Sequence, residues 1–244
     1  MTILPRAPIA LAACLLAAAQ APAGDFSTFQ SLGFSSDGKV YAFEEFGVQD
    51  GSGFPYSNVY FIDTEKDAYL SGTPIRVRID DEAADVAEAR AESRDKAKAL
   101  IDAHKVLANP GVLAAFNPMG EVGADRKRIE YLPHAIEPTP GGIYGLVLEE
   151  IPLALSHACR DITPDGGKGF RLKLVTRGGE AADTVIHEDT RVPESRNCPL
   201  SYQVSGAVTF NPPGADPVHV ALVLVRSFGF EGADGRWIAV PFRP

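Results

Sequence analysis

Residues 29–63, FQSLGFSSDGKVYAFEEFGVQDGSGFPYSNVYFID, decide how this chain is read. Leu32 and Phe34 lead into a turn, Ser35-Ser36-Asp37-Gly38. Val40, Ala42 and Glu44 then alternate with Tyr41, Phe43 and Glu45, the period of two that sends successive side chains to opposite faces of a strand. Asp50-Gly51 and Gly51-Ser52-Gly53 supply the positive φ angles that tight reversals need, and Asn58 to Ile62 reads as a returning strand. The stretch is a β-hairpin with a long decorated loop.

Working outward, Thr64–Gly72 is a charged turn region. Thr73–Asp80, TPIRVRID, is a strand with Ile75, Val77 and Ile79 on one face and Arg76 and Arg78 on the other, wet, face. The pattern changes at Asp80-Asp81. From Glu82 to Asn109 apolar and small residues recur at steps of three and four with no Gly or Pro, which predicts one long helix, with a break near Ser93. Its stripe is thin and mostly alanine, so the helix should lie against a sheet surface or a partner rather than fill a core, with its charged face simply solvated. A short helical turn over Gly111–Phe116 extends the helical insertion to about 82–116. Arg126-Lys127-Arg128, the one basic cluster, decorates the start of a strand at Ile129–Leu132.

From Ile143 onward the chain reads as β throughout. Strands are expected at 143–155 (broken by Pro152), 169–176, 182–188, 201–210, 217–230 and 235–242, with Asn211-Pro-Pro-Gly214 and Gly232-Ala-Asp-Gly235 as reversals between them. YAFEEFG at 41–47, LVLEEIP at 146–152 and LVRSFGF at 224–230 echo one another, each opening a strand, loop, strand unit. The fold class is mainly β: antiparallel sheets, arranged as a sandwich or as propeller-like hairpin repeats, with one long inserted α-helix.

The first 23 residues read as a signal peptide: Arg6, the apolar run Ile9–Ala19, then Ala21-Pro22-Ala23 before a cut at Gly24. Leu11-Ala12-Ala13-Cys14 has the form of a bacterial lipoprotein signal, and a lipid on Cys14 is the minor alternative. The remaining 24–244 make one secreted domain with no second apolar run of spanning length. Arg6 aside, 22 basic and 32 acidic residues leave a net charge of −10. An acidic balance of that size repels nucleic acid and anionic membrane. Cys159 and Cys198 are an even pair in an exported protein and are expected as a disulfide.

No catalytic signature accompanies this plan. Val204-Ser205-Gly206 lacks the first glycine of a nucleophile elbow, and the His157–Cys159 pair is better explained by the disulfide. Five histidines (104, 134, 157, 187 and 219) are scattered. In His187-Glu188-Asp189, neighbours on a strand point opposite ways, so at most two converge, short of the three or four ligands zinc requires. Asp50-Gly-Ser-Gly and Asp165-Gly-Gly-Lys lack the spaced oxygen ladder of calcium loops, and Gly166-Gly167-Lys168 lacks the pattern of a phosphate loop. No metal or cofactor is expected. Glu44-Glu45 and Glu149-Glu150 occupy equivalent places in the echoed segments; they are expected solvated at strand ends, with an acid/base pair or a cation site as the alternative. The aromatics Phe54, Tyr56, Tyr60, Phe61 and Trp237 are either core or a stacking surface for a sugar or peptide.

LGFSSDGKVYAFEEFGVQDGSGFPYSNVYFID, TPIRVRID and GADGRWIAVPF resemble an uncharacterised family of bacterial predicted secreted proteins, across essentially the whole chain after the signal. The resemblance implies export from a Gram-negative cell and no assigned activity. FSSDGKVYAF is separately similar to the strand opener of periplasmic β-propeller blades, with Ser36 where proline is usual, but it occurs once. Two functions follow as expectations. The first is a non-enzymatic periplasmic or secreted binding module, meeting a small ligand or an envelope protein through its loops. The second is an envelope carbohydrate hydrolase acting through the paired glutamates, Glu45 and Glu150 or their neighbours.

Overall fold

The computed structural model describes residues 24–155, 157–163 and 166–244. The signal peptide over 1–23, with Cys14, and part of the turn at 163–168 lie outside them. Among the described residues thirteen strands and one α-helix follow in order: β1 (Thr28–Phe34), β2 (Val40–Val48), β3 (Pro55–Asp63), β4 (Ala68–Tyr69), β5 (Ile75–Arg78), α1 (Val86–His104), β6 (Val112–Phe116), β7 (Arg128–Tyr131), β8 (Tyr144–Leu153), β9 (Gly167–Arg177), β10 (Glu180–Glu188), β11 (Pro199–Phe210), β12 (Val218–Phe228) and β13 (Ala233–Phe242).

They form three antiparallel sheets. The first runs β1-β2-β3, with β4 and β5 both on the far edge of β3. The central sheet runs β13-β12-β11-β6, and the third β10-β9-β8-β7. Face-to-face packing stacks them, as in a sandwich with one sheet added, and α1 covers the outer face of the first.

The alternation read in the opening hairpin explains two of the interfaces. Tyr41, Phe43 and Tyr60 point inward onto Val220, Leu222, Leu224 and Trp237 of the central sheet. Val40, Ala42, Val59 and Phe61 point outward onto Ala97 and its neighbours. The other face of the central sheet, with Ala221, Val223, Val225 and Val240, meets Leu146, Leu148, Phe170 and Leu172 of the third. Covered on both sides, β12 has no wet face, which is why VHVALVLV at 218–225 is an almost unbroken apolar run.

Helix α1 begins at Asp85, whose side chain accepts from the Glu88 amide at 2.9 Å while the Glu88 side chain reaches back to the Asp85 amide. It ends where Lys105 turns left-handed at φ 51°. Ala89, Ser93 and Ala97 form its buried stripe, small enough for the helix to lie close on the sheet. Ser93 does not break it: its hydroxyl bonds the Arg90 carbonyl and meets the Ser57 hydroxyl at 2.7 Å.

Several sequence expectations are corrected. The helical turn over Gly111–Phe116 is instead strand β6, paired with β11 at the edge of the central sheet. VLAAF carries no strong local preference, and the unpaired edge of β11 decides it. The helical insertion therefore stops at Ala108, after a 3-10 turn over Val106–Ala108. Residues 28–34, read only as a lead into a turn, are the edge strand β1. Pro152 does not interrupt β8 either. It pairs with Lys168 of β9, and on its other side β7 reaches only as far as Val147, so the missing amide faces no neighbour. The three echoed segments fall in β2, in β8 and at the end of β12, the first strands of the hairpins β2–β3, β8–β9 and β12–β13, one hairpin in each layer, so they stack rather than radiate as blades.

Candidate functional site

The expected strand-end position of the paired glutamates fails at Glu44-Glu45, which sits in the middle of β2 with both side chains buried. Being adjacent, they face opposite layers. Glu44 points to the helix, where Arg90 and Arg94 each bond it twice, at 2.7–3.1 Å, and Ser57 donates at 3.0 Å. It fastens α1 to the sheet. Burial pushes its pKa up, but the two guanidinium groups outweigh burial and hold it below the ordinary value.

Glu45 points to the central sheet. One of its oxygens accepts from Tyr60 Oη at 2.5 Å and Asn58 Nδ2 at 3.1 Å; the other accepts from the Trp237 amide at 2.9 Å and Ser27 Oγ at 3.1 Å. β13 is an edge strand, so its outward amide needs a partner from elsewhere, and Glu45 supplies it. Burial, followed by the charge of Glu45, pushes the Tyr60 phenol well above its usual pKa, which keeps it a donor.

These residues form the floor of a cleft of about 420 Å³ at the end of the first sheet. One wall is Arg76 on β5, directly across from Asn58 in the ladder, together with Tyr69 on β4. The opposite wall is the segment 193–197 with Val225, Arg236 and Ile238. A second cavity of about 160 Å³, lined by Asp67 and His187, adjoins it and shares Tyr69, Arg196 and Ile238.

The cations are set in different ways. Arg196 bonds Asp189, 2.5 Å away, and lies over the rings of Phe170 and Tyr202. Arg236 bonds Asp25, also at 2.5 Å, above the Tyr56 ring, and Tyr56 donates to the same carboxylate at 2.7 Å. Arg76 is exposed and, among the described residues, has no carboxylate partner. The Cys159–Cys198 disulfide, with its Cα atoms 5.3 Å apart, anchors the chain immediately after Asn197.

His187 and Asp189 do converge, as the strand geometry predicts, while Glu188 turns away to Arg171. The imidazole bridges layers, one nitrogen on Asp189 at 3.2 Å and the other on Asp67 at 2.9 Å, in the turn between β3 and β4. Burial pulls its pKa down, but the two carboxylates overcome burial and raise it to about 9. A group raised in this way contributes its full stability below its unfolded pKa of ~6.5 and loses it as pH rises through the folded value. Wild type should thus lose ~2 kcal/mol relative to His187→Gln between pH 6.5 and 10, allowing for screening of a partly exposed pair. Paired urea titrations across that range check it; a constant difference would remove the bridge.

The remaining sequence candidates are dispersed. Glu150 is on the third sheet, bonded to Lys127 at 2.6 Å and to the Tyr202 amide at 2.9 Å, and does not line the cleft of Glu45. Arg126-Lys127-Arg128 is occupied by Gln203, Glu150 and Glu130. His219 is buried against Tyr131 at 2.8 Å, and burial lowers its pKa to about 4. Tyr60 and Trp237 do reach the cleft, whereas Phe61 is core beneath the helix. Sequence reasoning passed over Arg76, Arg196 and Arg236 as sites. The available signals were their places: one across a strand from Asn58, one two residues before a half-cystine, one next to the single Trp.

Among the described residues, no group of three or more His, Cys, Asp or Glu side chains is placed to hold a metal ion, and no helix is long and apolar enough to cross a membrane. A family model described as "Predicted secreted protein (DUF2259)" matches residues 42–243. No curated protein and no solved structure matches the chain.

Proposed function

The chain belongs to the predicted secreted protein family DUF2259, and from that premise we propose that it is an exported, non-enzymatic binding module that seats a small ligand in the cleft between its first and central sheets. Export would proceed through the signal peptide over 1–23, with release before Gly24 into the periplasm of a Gram-negative cell. The observation that carries the reading is the cleft itself. Its volume of about 420 Å³ is in the range of small-molecule sites, and its lining combines aromatic rings (Tyr60, Tyr69, Trp237) with convergent polar groups. A hydrolase would need two carboxyl groups ~5–10 Å apart across one cleft. Among the described residues, Glu45 is the one carboxylate lining this cavity, and four donors already occupy it.

A thermal-denaturation screen of small extracytoplasmic metabolites tests the reading, with Ser195→Trp as the cleft-blocking control. A ligand at a hundred times its Kd adds ~2.7 kcal/mol, a rise of several degrees in Tm. The rise should vanish in the blocked variant, and mass spectrometry should recover the ligand unchanged. A ligand that stabilises both proteins equally, or a screen without hits, overturns the reading. A cleaved ligand would turn it toward hydrolysis.

A further inference from the structure

We propose that the ligand of this cleft carries an oxyanion, a carboxylate or a phosphate on a sugar-sized body, and that Arg76 is the group that meets it; the proposal rests on the cleft being the binding site. The chain as a whole carries −9, yet three guanidinium groups converge on this one cavity; among the described residues a single carboxylate lines it, and Asp189 and Asp25 behind the wall hold two of the three. That carboxylate, Glu45, is 1 % exposed, and both its oxygens are taken by donors from the floor. It presents almost no negative surface to an incoming ligand.

The three arginines are not equivalent. Arg196 and Arg236 are locked in place by Asp189 and Asp25, which offset their charges, so they contribute ordered N–H edges rather than net positive charge. Arg76, exposed and without a carboxylate partner among the described residues, retains the planar fork that binds carboxylate or phosphate with two parallel bonds. Across from it, Ser195 and Asn197 line the wall, and their side chains have no hydrogen-bond partner among the described residues. A cationic ligand would meet Arg76, the guanidinium without a carboxylate partner among the described residues, as a like charge, and a neutral one would leave it unanswered.

Three sugars matched in ring and differing in charge test this: D-glucose, D-glucuronate and D-glucose 6-phosphate. Each is titrated up to ~10 mM, enough to detect millimolar affinity. Heat and the emission of Trp237, the single Trp of the chain and part of the cleft lining, are followed together. At least one charged sugar should bind about tenfold tighter than glucose, and weaken as salt is raised; which of the two does so separates carboxylate from phosphate. Arg76→Ala should cut that affinity about tenfold with Tm unchanged, and Arg76→Lys should restore part of it. If glucose binds as well as the charged sugars, the oxyanion is wrong while the binding module stands. If the charged sugars give neither heat nor a change in emission, the oxyanion is likewise overturned; the binding module is then judged by the stability screen.

Discussion

Glu45→Ala lowers the unfolding free energy by ~4 kcal/mol. Removing the carboxyl group leaves the Trp237 amide and the Tyr60 hydroxyl without the partner they have at 2.9 and 2.5 Å. Each buried donor stripped of its acceptor costs ~1–3 kcal/mol, and the vacated volume adds to this. Ser27 loses less, because its hydroxyl also reaches the Gly235 carbonyl at 3.1 Å. Asn58 faces the cleft, where water can replace the lost acceptor. For a domain of this size ~4 kcal/mol corresponds to a fall in Tm of ~8–16 °C. Glu45→Gln, which keeps the volume and one acceptor, should cost about half as much. Denaturant midpoints of the three proteins decide the matter: an alanine variant within ~0.5 kcal/mol of wild type, the ordinary range for surface substitutions, would mean that this carboxyl group does not join the two sheets.

Replacing both half-cystines, as Cys159→Ser with Cys198→Ser, should cost nearly as much by a different route. The bridge closes a loop with a sequence separation of 39, worth ~4 kcal/mol of chain entropy in the unfolded state. Its removal should also reach the cleft, because Arg196 and Asn197 stand just before Cys198, while Phe228 donates from β12 to the Cys198 carbonyl at 2.9 Å. Ligand-induced stabilisation should therefore fall in the serine double variant even at temperatures where it remains folded. Equal midpoints for oxidised wild type and the double variant would show that the loop is held by its hydrogen bonds alone.

Local patterning was the legible part. Alternation through YAFEEF sorted the side chains of β2 into the two sets that face opposite layers, although both faces are buried rather than one, and of the sheet or partner expected under the alanine-rich stripe the structure places a sheet there. The disulfide followed from cysteine parity in an exported chain, and the structure contains it. What failed was of one kind. β1 and β6 are edge strands with weak sequence patterns, and the unpaired amides and carbonyls of β2 and β11 recruit them. Glu44-Glu45 misled because two adjacent carboxylates look like a wet strand end. Each is buried behind donors contributed by residues far away in the chain: Arg90 and Arg94 for one, Trp237 for the other.

The amino-acid sequence by itself determined that this is a β-rich domain with one amphipathic helix, acidic, with a pair of cysteines suited to a bridge. Those properties depend on period, composition and parity, which are local or additive. Only the tertiary structure decided that three hairpins stack as layers rather than as blades, and that Arg76, Arg196 and Arg236 share one cleft. Which faces meet is set by long-range packing, and electrostatic potential is summed over groups brought near in space, whatever their separation along the chain.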